Sequence, residues 1–170
     1  MITQDWFTKG FSISEQPDLA ALAKIALDDA NWEPYRDIER LVETSSVYSI
    51  LGTVSQEIAL RFGHNAKVSR REIWRGSIGA AHKYHSDMED ETNDCVAIIC
   101  LTDSPDLPID FKDTVTGEVT SYTPKFGEVL LINHWHPTAL HRGPITNGPN
   151  DAFIIVQVVM TCDRIYGPDH

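Results

Sequence analysis

Two histidines and one aspartate are the residues of this chain whose types and spacing best suit metal chemistry. His85 and Asp87 stand at positions i and i+2, so on an extended strand their side chains point to the same face. A second strand that returns beside the first would bring His141 opposite them. Two imidazoles and one carboxylate on one face of a metal suit Fe(II) and leave other positions open for oxygen and a second ligand. The pattern therefore predicts a metal site formed by His85, Asp87 and His141.

The second histidine of this site has two competitors. His134 and His136 also form an i, i+2 pair, and Pro137 biases His136 towards an extended backbone. His141 is favoured because Gly143 and Pro144 follow it, and such residues suit the end of a strand at a barrel mouth.

The composition restricts the classes of partner. The chain has 170 residues, of which 42% are hydrophobic and 23% charged, as expected of one globular domain. A formal net charge of -11 argues against binding nucleic acid or an anionic membrane, since both need a basic surface. The first residues lack the pattern of a secretory leader, and the three cysteines form no close pair. We expect a cytoplasmic protein with reduced thiols.

The apolar periodicity changes near residue 67. Before it, the spacing predicts one helix beginning near Pro17 and another from Ser45 or Ser46 to Gly63, with a short helix between residues 33 and 44. After it, about eight short strand-like runs are separated by turn residues. We expect one α+β domain over 1–170, mainly β, with a mainly helical part (1–66) and a jelly-roll core (67–170). Such a double-stranded β-helix would carry the helices on one sheet and leave a mouth for a metal.

Four segments, in this order and at these separations, resemble the Fe(II)/2-oxoglutarate-dependent dioxygenase superfamily, nearest to its prolyl-4-hydroxylase-like branch. In that family a strand leads to His-x-Asp, and an apolar strand, a turn with a further strand, and a Leu-His-x-Gly segment follow. The matching segments are Ile73-Trp74-Arg75-Gly76 leading to Tyr84-His85-Ser86-Asp87, then 95–101, 124–132 and 140–148.

The resemblance implies a double-stranded β-helix in which His85, Asp87 and His141 hold Fe(II). It implies 2-oxoglutarate as co-substrate, with ascorbate as an optional addition, and O2 as the oxidant. The expected reaction is hydroxylation of an unactivated C–H bond in a small molecule, an amino acid or a peptide side chain, prolyl among them.

One departure concerns the co-substrate. The family usually carries an Arg or Lys shortly after the distal histidine, where it pairs with the far carboxylate of 2-oxoglutarate, but here Asn150 and Asp151 stand there. A guanidinium suits a carboxylate best, and Arg75 is the expected substitute. Arg142 should alternate to the other face from His141.

Two other readings remain open because fold does not fix function. A cupin-like enzyme could bind another divalent metal through the same face without 2-oxoglutarate, and the missing basic residue favours it. A ligand-binding jelly roll without catalysis would keep the sheets alone.

Overall fold

The structure is a computed structural model that describes residues 1–28, 30–36, 38–76, 83–86, 95–102, 108–143 and 153–165. Within them, a large and a small antiparallel sheet face each other, and helices cover the outer side of the large sheet. The helices are α1 (Asp5–Thr8), α2 (Pro17–Lys24) and α3 (Ser45–Phe62), with 3-10 turns at Ile25–Leu27 and Pro137–Ala139. The strands are β1 (Phe11–Glu15), β2 (Trp32–Tyr35), β3 (Ile38–Leu41), β4 (Lys67–Gly76), β5 (Cys95–Cys100), β6 (Ile109–Lys112), β7 (Val119–Tyr122), β8 (Glu128–Asn133), β9 (Leu140–Arg142) and β10 (Ile154–Thr161).

The large sheet has the strand order β1-β8-β5-β10-β4-β3-β2, and the small sheet has the order β7-β6-β9. Strands distant in sequence are neighbours in both sheets, and the pairings are antiparallel throughout the described residues. The fold is a double-stranded β-helix, or jelly roll, as the sequence predicted.

The helical elements begin and end where the capping residues indicate. Pro17 opens α2 as its first residue, where a missing N–H costs nothing. The Thr44 hydroxyl accepts a hydrogen bond from the N–H of Val47, and Gly63 ends α3 with a φ of 78°. The predictions for both helices are confirmed.

The short helix predicted between residues 33 and 44 is wrong. That region forms the hairpin β2–β3, which extends the large sheet beyond β4. Arg40 lies opposite Glu33 across the hairpin and forms an ion pair with it. Cross-strand pairs of opposite charge suit an edge of a sheet, and periodicity alone does not reveal them. The N-terminal part of the chain thus adds β1, β2 and β3 to the sheet as well as its helices.

Two buried clusters occupy the two faces of the large sheet. One lies between this sheet and the helices and includes Leu19, Leu51, Ile58 and Leu131. The other lies between the two sheets and includes Phe11, Phe111, Ile132 and Val159. Because side chains alternate along a strand, neighbours such as Leu131 and Ile132 contribute to different clusters.

The remaining bulk expectations concern thiols and membranes. Cys95 and Cys100 are buried free thiols, and Cys162 is a half-buried one. None of the helices in the described part of the chain has the length and apolar character needed to cross a bilayer.

Candidate metal centre

The small sheet brings His85 and His141 together. The N–H of each residue donates to the carbonyl oxygen of the other, at 2.8 Å from His85 and 2.9 Å from His141. A pair that exchanges both backbone hydrogen bonds carries its side chains on the same face. The two imidazole ring centroids are 4.7 Å apart. Two of the three predicted ligands therefore stand side by side.

His141 faces the space between the sheets. It lies opposite Phe111 on β6, and the two ring centroids are 6.1 Å apart. Phe111 stacks on Phe11 of the large sheet at 4.6 Å, and His141 itself is 4% exposed. His85, on the same face, is solvent-exposed, so the pair has a buried side and an open side.

The tautomer of His85 follows from its hydrogen bond. Its Nδ1 lies 2.9 Å from the carbonyl oxygen of Lys83. A carbonyl can only accept, so Nδ1 carries the proton and donates, and the lone pair lies on Nε2. Histidines that bind metals commonly donate their other ring N–H to a carbonyl or carboxylate in this way.

The predicted carboxylate ligand, Asp87, lies outside the described residues. Across the described ranges, no third His, Cys, Asp or Glu joins the pair to form a metal-binding group. Asp87 follows Ser86 directly and remains the predicted third ligand.

The two alternative histidines have other contacts. His136 Nδ1 lies 3.2 Å from the backbone N of Thr138, whose N–H donates to it. A Cβ at Gly10 would meet His136 Nδ1 at 2.7 Å, so a glycine is needed where the N-terminal segment crosses this loop. Burial lowers the pKa of His136, although nearby Asp113 opposes this shift. His136 therefore packs between its own loop and the N-terminal segment at Gly10, and burial favours its neutral form.

His134 contacts the segment that carries His85 (residues 83–86). Its Nδ1 is 3.3 Å from the hydroxyl of Ser86, and the residue is 8% exposed. The sequence favoured His141 over His134 and did not reveal this contact, because nothing in the spacing links the end of β8 with residue 86.

Arg75 does not face the histidine pair. It is the cross-strand partner of Glu39 and Ile154, and Ile154 packs on the helix side of the large sheet. Its guanidinium donates to Glu39 at 2.7 Å and stacks on Trp32 at 4.4 Å. The proposed co-substrate role required the inner face, which its neighbour Trp74 occupies. Counting positions back from His85 did not reveal the face on which Arg75 lies, because strand alternation turns it outward.

The inner face of β4 carries a different arginine. Arg70 is opposite Val159, which belongs to the inter-sheet cluster. Gln157 shares this face and accepts hydrogen bonds from Trp74 Nε1 at 3.2 Å and from Arg70 at 3.5 Å. A cleft of about 380 Å³ at the β3–β4 edge reaches Arg70 and the ion-paired residues Glu72, Arg40 and Glu33, and helix-side residues such as Val47, Leu51 and Ile73 also line it. Alternation from Trp74 could have identified Arg70 in the sequence.

The comparisons support the fold. No family model and no curated protein matches the chain. Among solved structures, a 2OG-Fe(II) oxygenase family oxidoreductase from Burkholderia pseudomallei is 14% identical, with a TM-score of 0.73 over 92% of this chain and 86% of that one. HygX from Streptomyces hygroscopicus, solved with nickel, 2-oxoglutarate and hygromycin B, is 11% identical, with a TM-score of 0.65 over 95% and 88%.

A prolyl-4-hydroxylase from Pseudomonas putida is 13% identical, with a TM-score of 0.56 over 95% of this chain and 96% of that one. At such identities the likeness establishes the fold and leaves the reaction open. The resemblance read from the sequence motifs is thus matched in three dimensions: the chain has the fold of the 2-oxoglutarate- and Fe(II)-dependent oxygenases, prolyl hydroxylases among them.

Proposed function

We propose that the chain is an Fe(II)- and 2-oxoglutarate-dependent oxygenase in which His85, Asp87 and His141 hold the metal. The observation that carries this proposal is the paired placement of His85 and His141, with the first imidazole fixed by Lys83. An imidazole pair with an adjacent carboxylate in the sequence is the donor set that suits Fe(II). The residues present therefore fit the metal.

The chemistry of such a site is divided between the metal and the chain. Fe(II) and 2-oxoglutarate, when bound, supply an oxidant for an unactivated C–H bond. His85 and His141 orient the metal, and the Lys83 carbonyl keeps the lone pair of His85 on Nε2. Phe111 and Phe11 line the buried side of the histidine pair and exclude water from it.

Arg70 is the residue that we propose for the anionic end of the co-substrate. It lies on the inner face of the large sheet, beside the amide of Gln157 and the indole N–H of Trp74. Its Nε lies 3.4 Å from the Glu72 carboxylate, and its guanidinium can present further N–H donors to a co-substrate carboxylate. Arg75 lies on the opposite face of the sheet, paired with Glu39.

The proposed substrate is a small molecule, an amino acid or an exposed peptide side chain. Solved structures with this fold were obtained with hygromycin B in one case and with a hypoxia-inducible factor peptide in another. The net charge of -11 makes a nucleic-acid substrate unfavourable. Hydroxylation is the proposed reaction because the site keeps a carboxylate at position 87.

A cupin-like metal enzyme that does not use 2-oxoglutarate is the second candidate. The outward placement of Arg75 favours it, since the residue expected to hold the co-substrate is committed to Glu39 and Trp32.

Anaerobic titration of the Fe(II) protein with 2-oxoglutarate separates these candidates. Chelation of iron by the keto acid should produce a metal-to-ligand charge-transfer band in the visible, followed by succinate release in air. Bound iron without the band would support the cupin-like enzyme, and a chain that binds no iron would contradict both. The control variant His64→Asn should give the same charge-transfer band as the unmodified chain. His64 is exposed and adopts a φ of 53° that Asn tolerates.

A further inference from the structure

The outer face of the small sheet carries a row of polar residues directly behind the histidine pair. Since His85 pairs with His141 in antiparallel register, Tyr84 stands opposite Arg142. Arg142 in turn is opposite Asp110, and Asp110 is opposite Ser121. This outer row, Tyr84–Arg142–Asp110–Ser121, crosses the sheet one position away from the inner row of His85, His141 and Phe111.

The members of the outer row contact one another. The Arg142 guanidinium lies 4.8 Å from the ring centroid of Tyr84 and donates to Asp110 Oδ2 at 2.7 and 2.9 Å. Ser121 donates to the other oxygen of Asp110 at 2.6 Å. Lys112 places its ammonium 5.5 Å from the Tyr84 centroid. The ring of Tyr84 is therefore held by two cations that β6 and β9 supply.

The electrostatics of Asp110 agree with a formed network. Burial would raise the pKa of this carboxyl, but the hydrogen bonds from Ser121 and Arg142 outweigh it, and the pKa falls below its usual value.

His85 joins its segment to β9 through an antiparallel bridge with His141, formed by two backbone hydrogen bonds. A slip of one residue would turn His85 to the outer face and Tyr84 to the inner one. Such a slip would destroy the pairing of the two imidazoles and would also place Tyr84 away from Arg142.

We infer that the outer row sets the register of the ligand segment, so that Tyr84 is a positioning residue for the metal centre. Its ring contacts the side-chain cations of Arg142 and Lys112 and thereby keeps the register in which His85 lies opposite His141. The role in metal positioning rests on the proposed function. The register of residues 83–86 against β9 is a property of the metal-free chain. No contact of Tyr84 with the metal or the substrate is involved.

Amide hydrogen exchange in the metal-free protein tests the register directly. The amides of His85 and His141 each donate across the bridge, so their protection reports its stability. In Tyr84→Ala we expect both amides to exchange at least tenfold faster, while the amide of Val158 in β10 is unchanged. Tyr84→Phe keeps the ring and should restore protection, and Arg142→Gln should behave as Tyr84→Ala does.

Tyr48→Ala is the matched control. Tyr48 lies on α3, is 56% exposed and has an arginine stacked on it at 4.4 Å, but it is far from the small sheet in the topology. It should leave both bridge amides protected. Unchanged protection in Tyr84→Ala, or equal loss in Tyr48→Ala, would overturn the positioning role.

Iron affinity then connects the register to function. Residues that orient metal ligands typically contribute about 10- to 100-fold in affinity, and we expect a loss in that range for Tyr84→Ala with rescue by Tyr84→Phe. Fast exchange with unchanged iron affinity would contradict the role in metal positioning. Absence of iron binding in the unmodified protein would refute the proposed function, while the exchange result would still decide the register.

Discussion

The two faces of the seven-stranded sheet are formed by the same strands but carry different kinds of side chain. The helix face is filled by apolar side chains, Trp6 and Phe62 among them, with Arg75 paired to Glu39 at its edge. The inter-sheet face combines stacked aromatic rings with a buried histidine and the hydrogen-bonded set of Trp74, Gln157 and Arg70. Alternation along each strand thus lets one face stabilise the fold while the other holds polar groups for a ligand.

The largest expected effect on stability comes from deleting core side chains on either face. Leu131 and Ile132 are neighbours on β8, both fully buried, and belong to the helix-face and inter-sheet clusters respectively. Alanine at either position should lower the free energy of unfolding by about 2–5 kcal/mol, measured by urea denaturation.

Iron affinity should distinguish the two variants. Ile132 lies opposite Phe11, whose ring stacks on Phe111 beside His141. Ile132→Ala should therefore weaken iron binding several-fold, whereas Leu131→Ala should leave it unchanged. Equal effects on iron would show that the faces are not functionally separate.

The next effect in size concerns the two arginines of β4. Arg70→Gln removes an inner-face guanidinium, and hydrogen bonds to charged groups contribute about 1.5–3 kcal/mol, so the 2-oxoglutarate requirement should rise roughly 10- to 100-fold. Arg75→Gln, on the helix face, is the matched control and should leave it unchanged. Titration of the charge-transfer band measures both. The reverse pattern would restore Arg75 as the carboxylate partner.

The smallest effect concerns His136, which stands apart from both faces at the crossing with Gly10. Because burial lowers the pKa of folded His136, the unfolded chain binds its proton more readily. The stability that this group contributes is present above the unfolded pKa, near 6.5, and is lost as pH falls. Urea denaturation of the metal-free protein from pH 7 to pH 5 should show this loss.

One titratable group can change the free energy of unfolding by at most about 1.4 kcal/mol per pH unit. His136→Asn should flatten the pH dependence of the free energy of unfolding by part of that amount. If the pH dependence of the free energy of unfolding is the same in His136→Asn, burial does not lower the pKa of His136.

The sequence predicted the elements whose signal is local. The apolar spacing, the serines at 45 and 46 and Gly63 delimited α3 in the sequence, although the observed cap is Thr44, and apolar runs bounded by turn residues located the strands of the core. The spacing of His85 relative to Asp87 indicated the site because strand alternation is a local rule. The outward face of Arg142, which pairs with Asp110, followed from the same rule.

What the sequence did not predict depends on partners distant in the chain. The hairpin β2–β3 is stabilised by Glu33–Arg40 and by its pairing with β4, which no local pattern reveals. The face on which Arg75 lies was not predicted, because Ile154 and Glu39 fix it across the sheet. The positions of Tyr84 and His134 likewise depend on β9 and residue 86.

The most direct test of the central claim is Fe(II) binding in a double-mutant cycle of His85 and His141. Equilibrium dialysis under anaerobic conditions should show that His85→Ala and His141→Ala each lower the affinity at least 100-fold. The double variant should lose little more than either single one, because both imidazoles hold the same ion. Wild-type affinity in either single variant, or independent losses that add fully, would contradict a shared metal.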